Sequence, residues 1–378
     1  MRVTPSRSLD IVAWTPYPRA GASNRHRIEQ HLPALKARGH RVEIFPFADD
    51  RLFEILYGSG KTIEKLVRVA LRTAARQAHL ARAMKADVVI VHREAHPFGP
   101  PLLEMALSKG SPSVVYDFDD ALWLHNPSTA NRLARIFKKP NKTRSLVRIA
   151  DRVIAGNPFL AESAERWGGD PTVIPTPIDT DRYRLRVHED RKPVVLGWVG
   201  TPSSARYLRP IADVLARVAR ERAIIVRLIG GVHPLPGVPV EHRVWSLERE
   251  VDDLTELDIG LMPMEDEPWA HGKCGFKIIQ YFGAGLPAVA SPYGVNSDLV
   301  IEGETGFAPR SRAEWIDSLI ELIDDVELRR RMGTRGRELV ESSYSLRFTT
   351  PTFVRVIEEA GGARPRRSSP DRANPESA

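Results

Sequence analysis

Short runs of branched and aromatic residues, spaced by longer helix-period segments, recur along the chain, and this alternation restricts the fold more than any other feature. Runs at 9–14 (LDIVAW), 41–47, 86–92 (ADVVIVH), 113–118 (SVVYDF), 152–155 and 172–175 are predicted strands. Helical periodicity fills 24–38, 61–85, 101–109 and 143–150. Apolar strands separated by helices are the pattern of a parallel sheet covered on both faces. The pattern restarts with strands at 194–199 (VVLGWV), 223–229, 240–244, 257–262 and 287–290, and helices at 204–220, 275–284, 312–324, 326–341 and 347–360. The expected fold class is therefore α/β: two doubly wound, Rossmann-like domains. They span 1–185 and 186–345, and meet at the polar stretch 180–192. Residues 346–360 form a last helix, drawn as returning to the first domain. Residues 361–378 have almost no large apolar side chain and are expected to be disordered. A chain of 378 residues has room for both cores.

Two such sheets give two carboxyl-end crevices, and ligands favour those crevices. If the domains face each other, the cleft between them is the natural site. Charge is unequal across the boundary. Residues 1–185 carry 29 Lys and Arg against 19 Asp and Glu, whereas the remainder carries 26 against 29. A basic first half suits an anionic partner or surface. Residues 61–85 hold seven basic side chains and one acid, and 132–148 hold seven basic and no acid. The first of these reads as an amphipathic basic helix suited to an anionic membrane surface. No nucleic-acid-reading module accompanies the charge, so nucleic acid is not an expected partner. The one cysteine, Cys274, excludes an internal disulfide and suits a reducing compartment. With no run of about 18 apolar residues and no apolar leader, the expected location is cytoplasmic, with peripheral attachment at the inner membrane face as an extension.

Two segments of the second half suit a phosphate. In VVLGWVGTPSSARYL a strand runs to Val199, Gly200 permits a tight turn, and Ser203 or Ser204 can cap the next helix. A helix start offers free N–H groups, and Arg206 in its first turn favours a nearby anion. In HGKCGFKIIQYFGAGLP, Lys273, Gly275, Phe276 and Lys277 precede or open an apolar helix, with Gln280 about one turn on. Two lysines and a glycine at a helix start describe a second anion site.

The first half supplies candidate acceptor groups. Asp117, Asp119 and Asp120 follow an apolar strand, and His92 ends another. Strand ends of this kind face the crevice. Gly21, Arg25 and Arg27 lie on the first loop and the start of its helix.

The segments GWVGTPSSARYL, DIGLMPMEDEPW, GKCGFKIIQYFGAGLPAVASPYGVNSDLV and EGETGFA, in that order, resemble the family-4 glycosyltransferases. GASNRHRIEQHLPALKARGHRVEIF, ADRVIAGNPFLAE and VIPTPIDTDRY are similar to the family's N-terminal segments, so the resemblance covers about residues 10–345. It implies the two-domain GT-B fold, with an N-terminal acceptor domain and a C-terminal nucleotide-sugar domain. The implied reaction moves a sugar from a nucleoside diphosphate to a hydroxyl of a lipid-linked or saccharide acceptor in polysaccharide or glycolipid assembly. The implied course is retention, with no cofactor and no metal.

By the same resemblance, Arg206, Lys273 and Lys277 stabilise the departing diphosphate. Gly275, Phe276 and Lys277 offer it backbone amides, Gln280 meets the ribose and Trp245 meets the base. The chain departs from the family at Thr201, where an arginine is usual, and at Gly272 and Gln280, where glutamates are usual. Two alternatives therefore stand beside the transferase: a sugar-nucleotide-binding protein without turnover, and a GT-B-fold epimerase.

Overall fold

A computed structural model describes residues 7–56, 60–124 and 141–362. Its first sheet holds β1 (Asp10–Thr15), β2 (Arg41–Pro46), β3 (Val88–His92), β4 (Ser113–Phe118), β5 (Arg152–Ala155) and β6 (Pro171–Val173), in the order β2-β1-β3-β4-β5-β6. The second holds β7 (Val194–Val199), β8 (Ile224–Ile229), β9 (Val240–Arg243), β10 (Ile259–Met262), β11 (Ala288–Ala290) and β12 (Gly306–Phe307), in the order β12-β11-β10-β7-β8-β9. Every ladder in both sheets is parallel. β3, β4 and β7 are buried along their whole length, which is why they read as unbroken apolar runs.

The α/β class expected from the sequence is what the structure shows. Several helices differ from their periodicity. The stretch expected as one helix over 24–38 is divided into α1 (Ala22–Arg27), a 3₁₀ turn and a second short helix with Pro33 in its first turn. Helix 204–220 opens as a 3₁₀ turn over Ala205–Ile211, since Pro210 has no N–H to donate to the α-helical ladder. The strand at 306–307 escaped the sequence reading because two residues carry no period.

The basic helix is built the other way round from its expected posture. It forms α2 (Thr62–Ala83), but its arginines face inward. Arg72 donates to the Phe47 and Pro46 carbonyls at 2.6 and 2.7 Å, at the end of β2. Arg76, fully buried, donates to the Phe45 carbonyl at 2.8 Å and lies 5.2 Å from the Trp14 ring. Arg82 pairs with Asp10 at 2.8 Å. The outward face carries Ile63, Leu66, Val67 and Leu71, each more than half exposed. Carbonyls at a sheet's end need donors, and arginine satisfies them where a leucine cannot. Of the second basic stretch, 132–140 lies outside the described residues; Lys142 is buried and donates to the His96 carbonyl. No described helix is long and apolar enough to cross a membrane.

α3 (Glu250–Thr255) and α4 (Phe276–Gly283) belong to the second domain. α5 (Leu346–Gly362) crosses back to the first: Phe353, Val354 and Ile357 pack with Ile11, Val88 and Val115 in one core. The sequence tail from 363 onward lies outside the described residues.

Candidate functional site

A cavity of about 510 Å³ lies between the carboxyl ends of the two sheets. Both domains line it, as the topology of open α/β sheets requires of a ligand site. Its second-domain wall is organised by the start of α4. Gly275 caps that helix in the left-handed region at φ 62°, and a Cβ there would stand 2.2 Å from Leu299 Cδ1. Only glycine fits the turn, and no side chain caps the first-turn N–H groups.

Three cations line the cavity together with that turn. Lys277 lies 5.5 Å from the Trp198 ring and, among the described residues, has no carboxylate within salt-bridge distance. Burial in the cleft, reinforced by Lys273, pulls its ammonium down from 10.5 to about 8. Lys273 donates to Asp120 at 2.8 Å and lies 4.7 Å from the Trp269 ring. Arg206 is 3.1 Å from the Tyr207 hydroxyl and 3.9 Å from Glu267. Gly200 turns the chain after β7, and the Ser203 and Ser204 hydroxyls sit 3.0 and 3.3 Å from Thr201 Oγ1.

Trp245 lines the same cavity beside Glu250 of α3. Arg25 reaches it from the first domain, 5.6 Å from the ring centroid, and donates to both Glu250 oxygens at 2.6 and 2.8 Å. Both charged side chains are at most 5% exposed. Burial raises the Glu250 carboxyl despite that pairing. Gln280 is buried and donates to the Tyr183 hydroxyl at 3.4 Å.

The residues read from the sequence therefore divide. Gly200, Ser203, Ser204, Arg206, Trp245, Lys273, Gly275, Phe276, Lys277 and Gln280 all line the cavity, as do Asp119 and Asp120 from the first domain. The remaining first-domain candidates do not. Arg27 and Asp117 form an ion pair that is at most 1% exposed, and Arg27 also donates to the Ile174 carbonyl. Burial alone would raise the Asp117 carboxyl, but Arg27 and His92 hold it below its usual range. His92 is buried against it, Nδ1 to Oδ2 at 2.6 Å. These three are the support behind the wall, and direct ligand contact is corrected to that role. Arg25 belongs to the interdomain pair with Glu250. Gly21 turns the first loop, its N–H donating to Pro18 at 2.8 Å.

Among the wall residues that sequence reading missed, three organise its polar network. Ser23 bridges His92 Nε2 at 2.6 Å and Asp119 at 2.9 Å. Arg93 donates to Asp119 at 2.7 Å and to Asp120 at 2.8 Å. Burial opposes ionisation of Asp119, but Arg93 and its other cationic neighbours hold the carboxyl well below its usual range. Glu250 is the third. These contacts arise from the β3–β4 register, His92 opposite Asp117, and from domain apposition. Neither is written in local periodicity. Among the described residues no group of three or more His, Cys, Asp or Glu side chains is placed to hold a metal ion.

The architecture has known counterparts. Sucrose-phosphate synthase from Thermosynechococcus elongatus superposes with a TM-score of 0.70 at 15% identity, covering 94% of this chain and 100% of that one. A glycosyltransferase from Rickettsia africae gives 0.66 at 14%, covering 95% and 100%. Anabaena HepE, solved with UDP and glucose, gives 0.62 at 15%, covering 93% and 100%. These likenesses define the class, the GT-B fold. Sequence narrows it further. The family model for Glycosyltransferase Family 4 matches residues 26–182. A D-inositol 3-phosphate glycosyltransferase from Nocardia farcinica is 27% identical over 227 residues, which is 51% of this chain and 49% of that protein, so the match spans about half the relative's length. Together these findings show the GT-B fold and a likeness to the family-4 glycosyltransferases.

Proposed function

We propose that the protein transfers a sugar from a nucleoside diphosphate to a hydroxyl acceptor, with retention, in polysaccharide or glycolipid assembly. The observation that carries this reading is that Arg206, Lys273, Lys277 and the uncapped start of α4 line one cavity between the two domains. As the glycosidic bond breaks, negative charge grows on the diphosphate. Fixed cations and amide dipoles in a water-poor cleft stabilise that charge, each such donor contributing about 3 kcal/mol. Trp245 offers the base a ring to stack on and Gln280 offers the ribose an amide. The UDP and glucose bound by Anabaena HepE support a nucleotide sugar as donor. The mechanism calls for no metal.

The acceptor side is read as lipid-linked. The outward face of α2, with Ile63, Leu66, Val67 and Leu71 exposed, is suited to lie in a bilayer interface, with Lys61 and Lys85 at its two ends toward lipid phosphates. Attachment of this kind is dominated by apolar burial, not by the arginines, which face the protein.

Incubation with a panel of nucleotide sugars and a membrane-lipid extract tests the reading. Acceptor-dependent release of nucleoside diphosphate is the expected result. Tight nucleotide binding with no release in any fraction would leave a binding protein instead, and isomerised donor without acceptor would indicate an epimerase.

A further inference from the structure

Recognition of a sugar requires hydrogen-bond acceptors for its hydroxyls, and a carboxylate is the strongest that a protein has. Three carboxylates line the cavity: Asp119, Asp120 and Glu250. Glu250 is committed to Arg25 beside Trp245. Asp119 is spanned by Ser23 and Arg93. The second domain places no side chain at position 272, just before the α4 turn, and the structure gives the reason. A Cβ on Gly272 would stand 2.4 Å from Ala121 Cβ and 2.9 Å from its backbone nitrogen. The first-domain loop occupies the volume that a side chain at 272 would need.

We propose that Asp120, carried on that same loop, supplies from across the cleft the carboxylate that reads the hydroxyls of the donor sugar. The inference rests on the nucleotide-sugar reading above. Asp120 is oriented for the task. Arg93 holds Oδ2 at 2.8 Å and Lys273 holds Oδ1 at 2.8 Å, which leaves each oxygen a further lone pair for a hydroxyl. Lys273 is four residues from Lys277 along the turn that receives the diphosphate, so a sugar attached to that diphosphate is directed toward Asp120. Two more contacts hold the first domain beside the turn. Cys274 Sγ donates to the Asp119 carbonyl at 3.1 Å, and Asn157 Nδ2 donates to the Lys273 carbonyl at 2.9 Å. The sugar pocket is thus complete only when the two domains meet. Sugar selectivity is a property of the closed form, whereas nucleotide affinity belongs to the second domain.

Calorimetry on the full chain tests this with UDP, GDP, UDP-glucose, UDP-galactose, UDP-N-acetylglucosamine and GDP-mannose as probes. Asp120→Asn and Asp120→Ser are expected to weaken the preferred sugar nucleotide about 10- to 100-fold, the range for a hydrogen bond to a charged group. Affinity for the matching free nucleotide is expected to hold or rise, since Lys273 loses its partner, and the spread among sugars to narrow. A structural role alone would weaken nucleotide and sugar nucleotide together. That result, or unchanged affinity for the preferred sugar nucleotide, overturns the assignment while leaving the transferase reading in place. Failure of the wild-type chain to bind any of these nucleotides would remove the transferase reading itself, and this assignment with it.

Discussion

Replacing Lys277 with methionine should make the empty protein more stable and its ligand binding weaker. The ammonium is desolvated in the cleft, which lowers its pKa from 10.5 to about 8. At about 1.4 kcal/mol per pH unit, the partly buried charge costs the folded state at most about 3 kcal/mol. The sign follows from proton uptake. Between pH 8 and 10.5 the unfolded chain binds the proton and the folded chain does not, so stability rises with pH across that window and the penalty is fully present below it. Lys277→Met removes the charge and keeps the stem packed near Trp198. Denaturant unfolding at pH 7 should therefore show a gain of up to about 3 kcal/mol that shrinks toward pH 10. Calorimetry with UDP and uridine should show the converse: UDP affinity falls about 100-fold, as for a lost charge-assisted contact, and uridine affinity holds. Loss of stability at pH 7, or equal loss for UDP and uridine, would refute the placement of an uncompensated cation at a phosphate site.

Other changes probe neighbouring parts. Arg25→Ala leaves Glu250 buried and unpaired, and should destabilise by about 3–5 kcal/mol in thermal or denaturant unfolding, with much of the loss restored by adding Glu250→Gln. Gly275→Ala forces a left-handed residue onto Leu299; it should cost about 1–3 kcal/mol of stability and reduce diphosphate binding more than nucleoside binding. Leu66→Glu with Leu71→Glu, both at exposed positions, should abolish flotation with phosphatidylglycerol vesicles while leaving the unfolding midpoint unchanged; in the wild-type chain that flotation should persist in 0.5 M salt, since apolar burial is not screened.

The fold was legible because parallel strands such as β3 and β7 are buried on both faces and so must be apolar throughout. The cationic turn was legible because Lys273, Gly275 and Lys277 are close in sequence and open a helix. What was misread depended on partners distant in the chain. Arg27 meets Asp117, 90 residues away, so an arginine at a helix start that suggests a ligand anion instead found an internal one. The face of α2 was misread for a related reason. Periodicity reveals two faces but not which one turns inward, and here the open carbonyls of Phe45, Pro46 and Phe47 drew the arginines in. Gly272 was read as a missing glutamate; its meaning, close approach of the Ala121 loop, required both domains.

The most direct test is a crystal structure with a bound nucleoside diphosphate. Its phosphates should lie within hydrogen-bond distance of the Gly275–Lys277 turn and the Lys277 ammonium, with Arg206 on the same side of the cleft. Phosphates bound elsewhere, with Lys277 still facing only Trp198, would contradict the account.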